Sequence, residues 1–63
     1  MKNIDWYETY IDLVEQQFIG KEFIEICSET YSMIGNGAGK YEVISERYDE
    51  INFDVMYKIK KNF

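Results

Sequence analysis

The glycine-rich segment 35–39 most constrains how this chain can fold, because it holds three of the four glycines and separates two kinds of hydrophobic pattern. Before it, apolar residues recur at intervals of three and four, as on one face of an α-helix. After it, apolar and polar residues alternate, as in a half-buried β-strand. Glycine readily adopts the positive φ angles that end helices. The sequence therefore predicts helices before this segment and strands after it.

Two amphipathic helices are predicted in the first part of the chain. The first covers residues 5–18, with Asp5 and Glu8 at the spacing of a capping box and Gly20 as a C-terminal cap. The second covers residues 21–34, where the apolar side chains share one half of a helical wheel. Many of its residues are β-branched or aromatic, which favours a strand. The helical period is the cleaner pattern, and the short connection predicts antiparallel neighbours.

Two strands are predicted after the glycines, over residues 40–48 and 51–60, with a turn at Tyr48-Asp49-Glu50. The second strand shows the clearest alternation, through Ile51, Phe53, Val55, Tyr57 and Ile59. The predicted fold class is α+β: one small domain over residues 1–63, with two antiparallel amphipathic helices packed on a C-terminal β-hairpin, in the order ααββ. A two-stranded sheet is weak and has unpaired edges, so we expect a symmetric dimer that either joins two hairpins into a four-stranded sheet or packs helix on helix.

The residue content argues against several kinds of chemistry. The chain has no histidine and only one cysteine, Cys27, so the common zinc and haem ligand sets are absent from the sequence. Cys27 has no histidine base and lies close to Ile26 and Phe23, which is typical of a core thiol rather than a nucleophile. Exposed carboxylates keep near-normal acidity and make poor general acids near neutral pH. We expect no enzyme activity, no catalytic residue, no metal and no cofactor.

Two segments resemble ligand sites but fail in their spacing. A phosphate-binding loop ending at Lys40 would need glycine in place of Ile34 and serine or threonine in place of Tyr41. Polar side chains also cluster near the predicted turn, at Asp49, Glu50, Asn52 and Asp54. These lack the spacing and the glycine of an EF-hand loop. We expect a helix stop at the first segment and an ordinary polar turn at the second.

The lone cysteine fits a reducing compartment, and the first residues lack the apolar run of a signal peptide. No stretch approaches the roughly 20 apolar residues of a membrane span. We therefore expect an intracellular, cytoplasmic protein, in the host cytoplasm if it is viral, with no membrane partner.

The acidic charge is concentrated in the body of the chain. All twelve carboxylates lie within residues 5–54, where only Lys21, Lys40 and Arg47 offset them, which leaves a net charge of −9. This argues against direct nucleic-acid binding, which needs basic groups, and favours a protein partner with a basic surface. Six carboxylates are predicted to form two stripes on the outer helix faces, and they are our candidate partner-binding residues: Glu8, Asp12, Glu15, Glu22, Glu25 and Glu29.

Aromatic residues supply a second set of candidates. Trp6, Tyr7 and Tyr10 are more than one helix of so small a domain can easily bury. Tyr and Trp are the usual anchors of protein interfaces, so these three are predicted to contact a partner or to form a dimer contact. A tightly packed core would be the simpler use of the same side chains.

The sequence favours a non-enzymatic protein-binding function. Consecutive carboxylates of a stripe lie about 5–6 Å apart, a scale comparable with that of DNA phosphates, so the stripes could act as a nucleic-acid mimic. We expect a small acidic inhibitor that blocks a basic nucleic-acid-handling host protein, such as an immune nuclease. The composition is in the style of accessory, anti-defence proteins of phages and mobile elements, although no motif identifies a family. The alternative is a structural or regulatory homodimerisation module without a nucleic-acid-related target.

Overall fold

The computed structural model describes residues 5–62, which form two helices and one three-stranded antiparallel sheet. The elements follow the order α1, β1, α2, β2, β3, and the strands lie in the order β1-β3-β2. Their bounds are α1 Trp6–Gln17, β1 Phe23–Cys27, α2 Ser28–Ile34, β2 Tyr41–Asp49 and β3 Asp54–Lys61. The α+β class with two helices and a C-terminal hairpin is therefore confirmed, whereas the order ααββ is wrong by one strand.

Helix α1 confirms the first predicted helix almost residue for residue. Asp5 has an extended backbone and accepts a hydrogen bond from the Glu8 amide at 3.2 Å, as an N-cap residue should. Ile11, Val14 and Phe18, spaced three and four apart, are buried. These three side chains pack α1 against the core residues of the sheet.

The predicted helix over residues 21–34 is wrong in its first half. Residues Phe23–Cys27 form strand β1, and only Ser28–Ile34 are helical. Ile24 and Ile26 are buried, while Glu25 between them is exposed. Propensity and local alternation thus outweigh the helical period here, because β3 supplies a hydrogen-bonded partner that no local pattern reveals.

The predicted hairpin is confirmed, but its turn lies further along the chain. Strand β2 continues to Asp49, and the turn covers residues 50–53. Ile51 and Phe53 are therefore turn residues, although their alternation with Val55 placed them in the strand. A bulge in β2 at Ile44, between Val43 and Ser45, shifts the register within the hairpin.

One face of the sheet is covered by both helices, and we call the other the open face. Ile24, Val43 and Ile59 are paired across the three strands on the covered side, and Ile59 is almost fully buried. The next set of partners, Glu25, Ser45 and Lys58, must point the other way, because side chains alternate along a strand. The buried core contains Ile11, Val14, Phe18, Ile24, Ile26, Ile34, Tyr41 and Ile59.

The glycine segment ends α2, as predicted. Gly35 has a φ of 55° and its amide donates to the Tyr31 carbonyl at 2.7 Å. Gly37 has a second role, since a Cβ built there would lie 2.5 Å from the Tyr41 ring. The segment between α2 and β2 therefore packs so closely against Tyr41 that position 37 requires glycine.

Strand β1 alters the argument for a dimer. A two-stranded sheet was expected to need a second copy, but the chain supplies its own third strand. Dimerisation remains a prediction, and completing a two-stranded sheet is no longer a reason for it. No helix within residues 5–62 is long and apolar enough to cross a membrane.

Candidate protein-binding surfaces

The outer side of α1 keeps two of the predicted acidic residues free. Glu8 and Asp12 are exposed one helical turn apart, and neither forms an ion pair with another residue of the described part of the chain. With Tyr7, Ile11 and Lys40 they line a surface groove of about 380 Å³, so one lysine lines the same groove as the two carboxylates. Trp6 is 56% exposed at the start of the same helix but lies about 160° around it from Glu8, outside this groove. We call Tyr7, Glu8 and Asp12 the α1 surface.

Glu15 is held in the structure instead. Its carboxylate accepts a hydrogen bond from the Tyr41 hydroxyl and lies 2.8 Å from Lys61 Nζ. The bond to Lys61, followed by that to Tyr41, lowers the pKa of Glu15, while burial and the Glu15 carboxylate raise the pKa of Tyr41. Glu15 thus joins α1 to β2 and β3, and its charge is largely neutralised.

The second predicted acidic stripe does not form, because its three members lie on different elements. Glu22 is exposed in the loop before β1, and Glu25 lies on the open face of the sheet. Glu25 receives two hydrogen bonds from Arg47, at 2.7 and 2.8 Å. Glu29, in the first turn of α2, accepts from the Tyr10 hydroxyl at 3.0 Å. The two parallel rows of carboxylates expected from antiparallel helices are therefore absent.

The three predicted aromatic anchors also divide. Trp6 and Tyr7 are exposed, at 56% and 38%. Tyr10 is half-buried against the core, and its hydrogen bond to Glu29 raises its pKa. Tyr10 therefore packs α1 on α2, and two aromatic side chains remain for a partner.

The sequence argument missed the most exposed apolar side chains, which lie at the hairpin turn. Ile51 is 87% exposed and Phe53 is 80% exposed, with Tyr48 at 58% just before them. Asp49 holds the turn, because its carboxylate accepts from the backbone amides of Ile51 and Asn52 at 3.0 and 3.3 Å. An aspartate followed by asparagine three residues later is a turn signal that could have placed this loop correctly.

We call residues 48–54 the hairpin tip. Phe53 there has a φ of 54°, a conformation that costs a side-chain-bearing residue free energy. The same segment contains three carboxylates, Asp49, Glu50 and Asp54. Bonds from Asn52 lower the pKa of Asp49, and the hydrogen bond from Ser28 lowers the pKa of Asp54, so both stay ionised near neutral pH.

A second groove lies where the open face meets the start of β1. It has a volume of about 530 Å³, and Phe23 and Ile24 form its apolar part. Its polar part consists of Gln17, Lys21, Glu25 and Lys58. Lys58 Nζ lies 5.1 Å from the centroid of the Phe23 ring. We call this the lysine groove.

Cys27 ends β1 as a half-buried thiol, with its Sγ 3.3 Å from Thr30 Oγ1. It is therefore less buried than the sequence predicts. Within residues 5–62 no group of three or more His, Cys, Asp or Glu side chains is arranged to hold a metal ion. Comparisons with protein-family models, with curated proteins and with solved structures found no match.

Proposed function

We propose that this protein acts by binding another protein through the α1 surface. In its most specific form, the proposal is a small acidic inhibitor, encoded by a phage or mobile element. It would cover the basic nucleic-acid-binding site of a host protein such as an immune nuclease. The observation that carries it is the combination of carboxylates without an ion pair at Glu8 and Asp12 with the exposed ring of Tyr7, which line one groove on α1.

These side chains have complementary roles in association. The net charge of −5 attracts a basic partner over several ångströms and raises the rate of encounter. Glu8 and Asp12 then form charge-assisted hydrogen bonds with arginine or lysine. Tyr7 would bury apolar area while it loses few rotatable bonds, as aromatic interface anchors do. The proposal therefore uses two of the six carboxylates expected from the sequence, Glu8 and Asp12.

The test uses the immobilised protein and lysate of a candidate host, washed over a range from about 50 to 500 mM salt. A partner held by the α1 surface should be released as salt rises, and added duplex DNA should compete with it. The double variant Glu8→Gln, Asp12→Asn should lower retention at least about tenfold, since charged contacts contribute the steering and hydrogen bonds.

A matched control keeps the net charge equal. Glu42→Gln with Glu46→Gln removes the same two charges from β2 and should leave retention nearly unchanged. If both double variants weaken retention equally, only the total charge matters and the α1 surface is not the site. If DNA does not compete, the nucleic-acid-mimic form of the proposal is wrong.

A further inference from the structure

Charge is divided along the hairpin. The segment 46–54 carries four carboxylates and only Arg47, which is already bonded to Glu25. Toward the other end of β3, roughly 20 Å from Asp54 at the usual rise per residue, lie Lys21, Lys58, Lys60 and Lys61. Lys60 pairs with Glu42 and Lys61 with Glu15, so the cations at this end without an ion pair among the described residues are Lys21 and Lys58. Negative charge is therefore concentrated at one end of the hairpin, and two lysines without an ion pair lie toward the other.

The acidic end also exposes its apolar side chains. Strand β1 pairs with β3 only as far as Met56, so the hairpin continues past β1 toward the tip. Ile51 and Phe53 are the two most exposed large apolar residues described. Apolar side chains gathered in this way, inside a polar rim, are typical of an interaction site.

The lysine groove complements the tip in both respects. Phe23 and Ile24 are its apolar residues, Lys21 and Lys58 provide positive charge, and the charge of Glu25 in its lining is offset by Arg47. Its volume of about 530 Å³ is large enough to receive side chains of the tip. The exposed apolar side chains and the carboxylates of the tip are thus complementary to the apolar residues and the lysines of this groove.

We propose that the hairpin tip of one copy lies in the lysine groove of a second copy, and the reverse, so that two chains form a symmetric dimer. The open faces lie toward each other with their β3 strands antiparallel. Because the dimer is symmetric, the contact between tip and groove is made twice, once by each copy. The buried area is therefore doubled, as in other isologous dimers. This dimer does not rest on the proposed inhibitor function, because only the last residue of α1, Gln17, lines the lysine groove and the α1 surface lines a different groove.

The first test is the oligomeric state, measured by sedimentation velocity over a range of protein concentrations at low salt. The unchanged protein should be a dimer at about 100 µM and should dissociate as salt rises. Ile51→Ser with Phe53→Gly should be monomeric at the same concentration. Glycine suits the positive φ at position 53, so circular dichroism should show that this variant is folded.

A charge exchange then identifies the groove. Lys21→Glu and Glu50→Lys each bring like charges together, so each should raise the dimer dissociation constant at least about tenfold. The two changes in one chain restore opposite charges and should return the constant to within about threefold of the original. Lys40→Glu, a matched change in a different loop lysine, should have little effect.

Three results would overturn the proposal. The first is a monomer at every concentration up to about 1 mM, where even weak pairs associate. The second is a dimer that persists unchanged when Ile51 and Phe53 are replaced, which would place the contact elsewhere. The third is a double charge variant that is no more associated than the two single variants.

Discussion

At the scale of single residues, Phe53 is the clearest conflict between local conformation and side chain. It has a φ of 54°, and its ring is 80% exposed, so little burial within the chain offsets the strained backbone. Such conformations cost about 1–3 kcal/mol for a residue with a Cβ, and glycine adopts them freely. The free energy lost to the strained backbone therefore exceeds what the exposed phenyl ring contributes to the folded monomer.

Phe53→Gly should consequently stabilise the monomer. After allowance for the greater freedom of glycine in the unfolded chain, we expect a gain of about 1 kcal/mol in the free energy of unfolding. In a domain of this size this corresponds to a rise of about 4–8 °C in Tm, measured by thermal circular dichroism at low protein concentration. Ile51→Gly, at a neighbouring position without a positive φ, should give no such gain. A lower Tm for Phe53→Gly would show that the ring supports the turn.

At the scale of elements, the sequence predicted what depends on local signals. Helix α1 was placed within about one residue, since its cap at Asp5 and its buried stripe are both local. Glu8 and Asp12 are therefore exposed on this helix, as the helical pattern indicates. Strand β1 was missed because its partners lie on β3, where Ile26 pairs with Tyr57, far away in sequence. Glu25, whose carboxylate binds Arg47, could not be placed for the same reason.

The conformation of β1 has a measurable consequence. Ile26 is 3% exposed on the covered side of the sheet, so Ile26→Ala should cost about 2–4 kcal/mol. That approaches the whole stability expected of so small a core, and the variant should be largely unfolded at 25 °C by circular dichroism. Leu13→Ala, at a half-exposed position on α1, should cost less than about 1 kcal/mol. Equal costs for the two variants would contradict the strand.

The hairpin tip was missed for a different reason. The alternation of apolar and polar residues runs without interruption from Ile51 to Ile59, so periodicity alone extends the strand too far. The hydrogen bonds of Asp49 end β2 and begin the turn instead. A side chain that satisfies backbone amides locally can thus override a hydrophobic pattern.

At the scale of the whole molecule, acidity should determine how stability depends on pH. Folding lowers the pKa of four carboxyl groups, through bonds to Lys61, Arg47, Asn52 and Ser28 respectively: Glu15, Glu25, Asp49 and Asp54. A carboxylate with a lowered pKa stabilises the folded state fully above its pKa in the unfolded chain. That contribution is lost as the pH falls through the lower, folded-state pKa.

We therefore expect the urea midpoint to be nearly constant between about pH 5.5 and 7.5, because the chain has no histidine to titrate there. It should fall below about pH 4.5, where the carboxyl groups of the unfolded chain take up protons. Glu15→Gln should make this acid limb shallower, since its lowered pKa contributes to the slope. A midpoint that rises on acidification would mean that relief of the negative net charge outweighs these bonds.

The strand order has a consequence for how the chain folds as it is made. Strands β1 and β2 do not pair with each other, and each forms its ladder with β3 alone. Both are synthesised before β3, so no hydrogen bond between strands can form until that central strand has been translated. Until then, residues Phe23–Cys27 have no strand to pair with, so nothing opposes the helical pattern of residues 21–34. The sheet can therefore assemble only after β3 has been made, and β1 acquires its strand partner at that point.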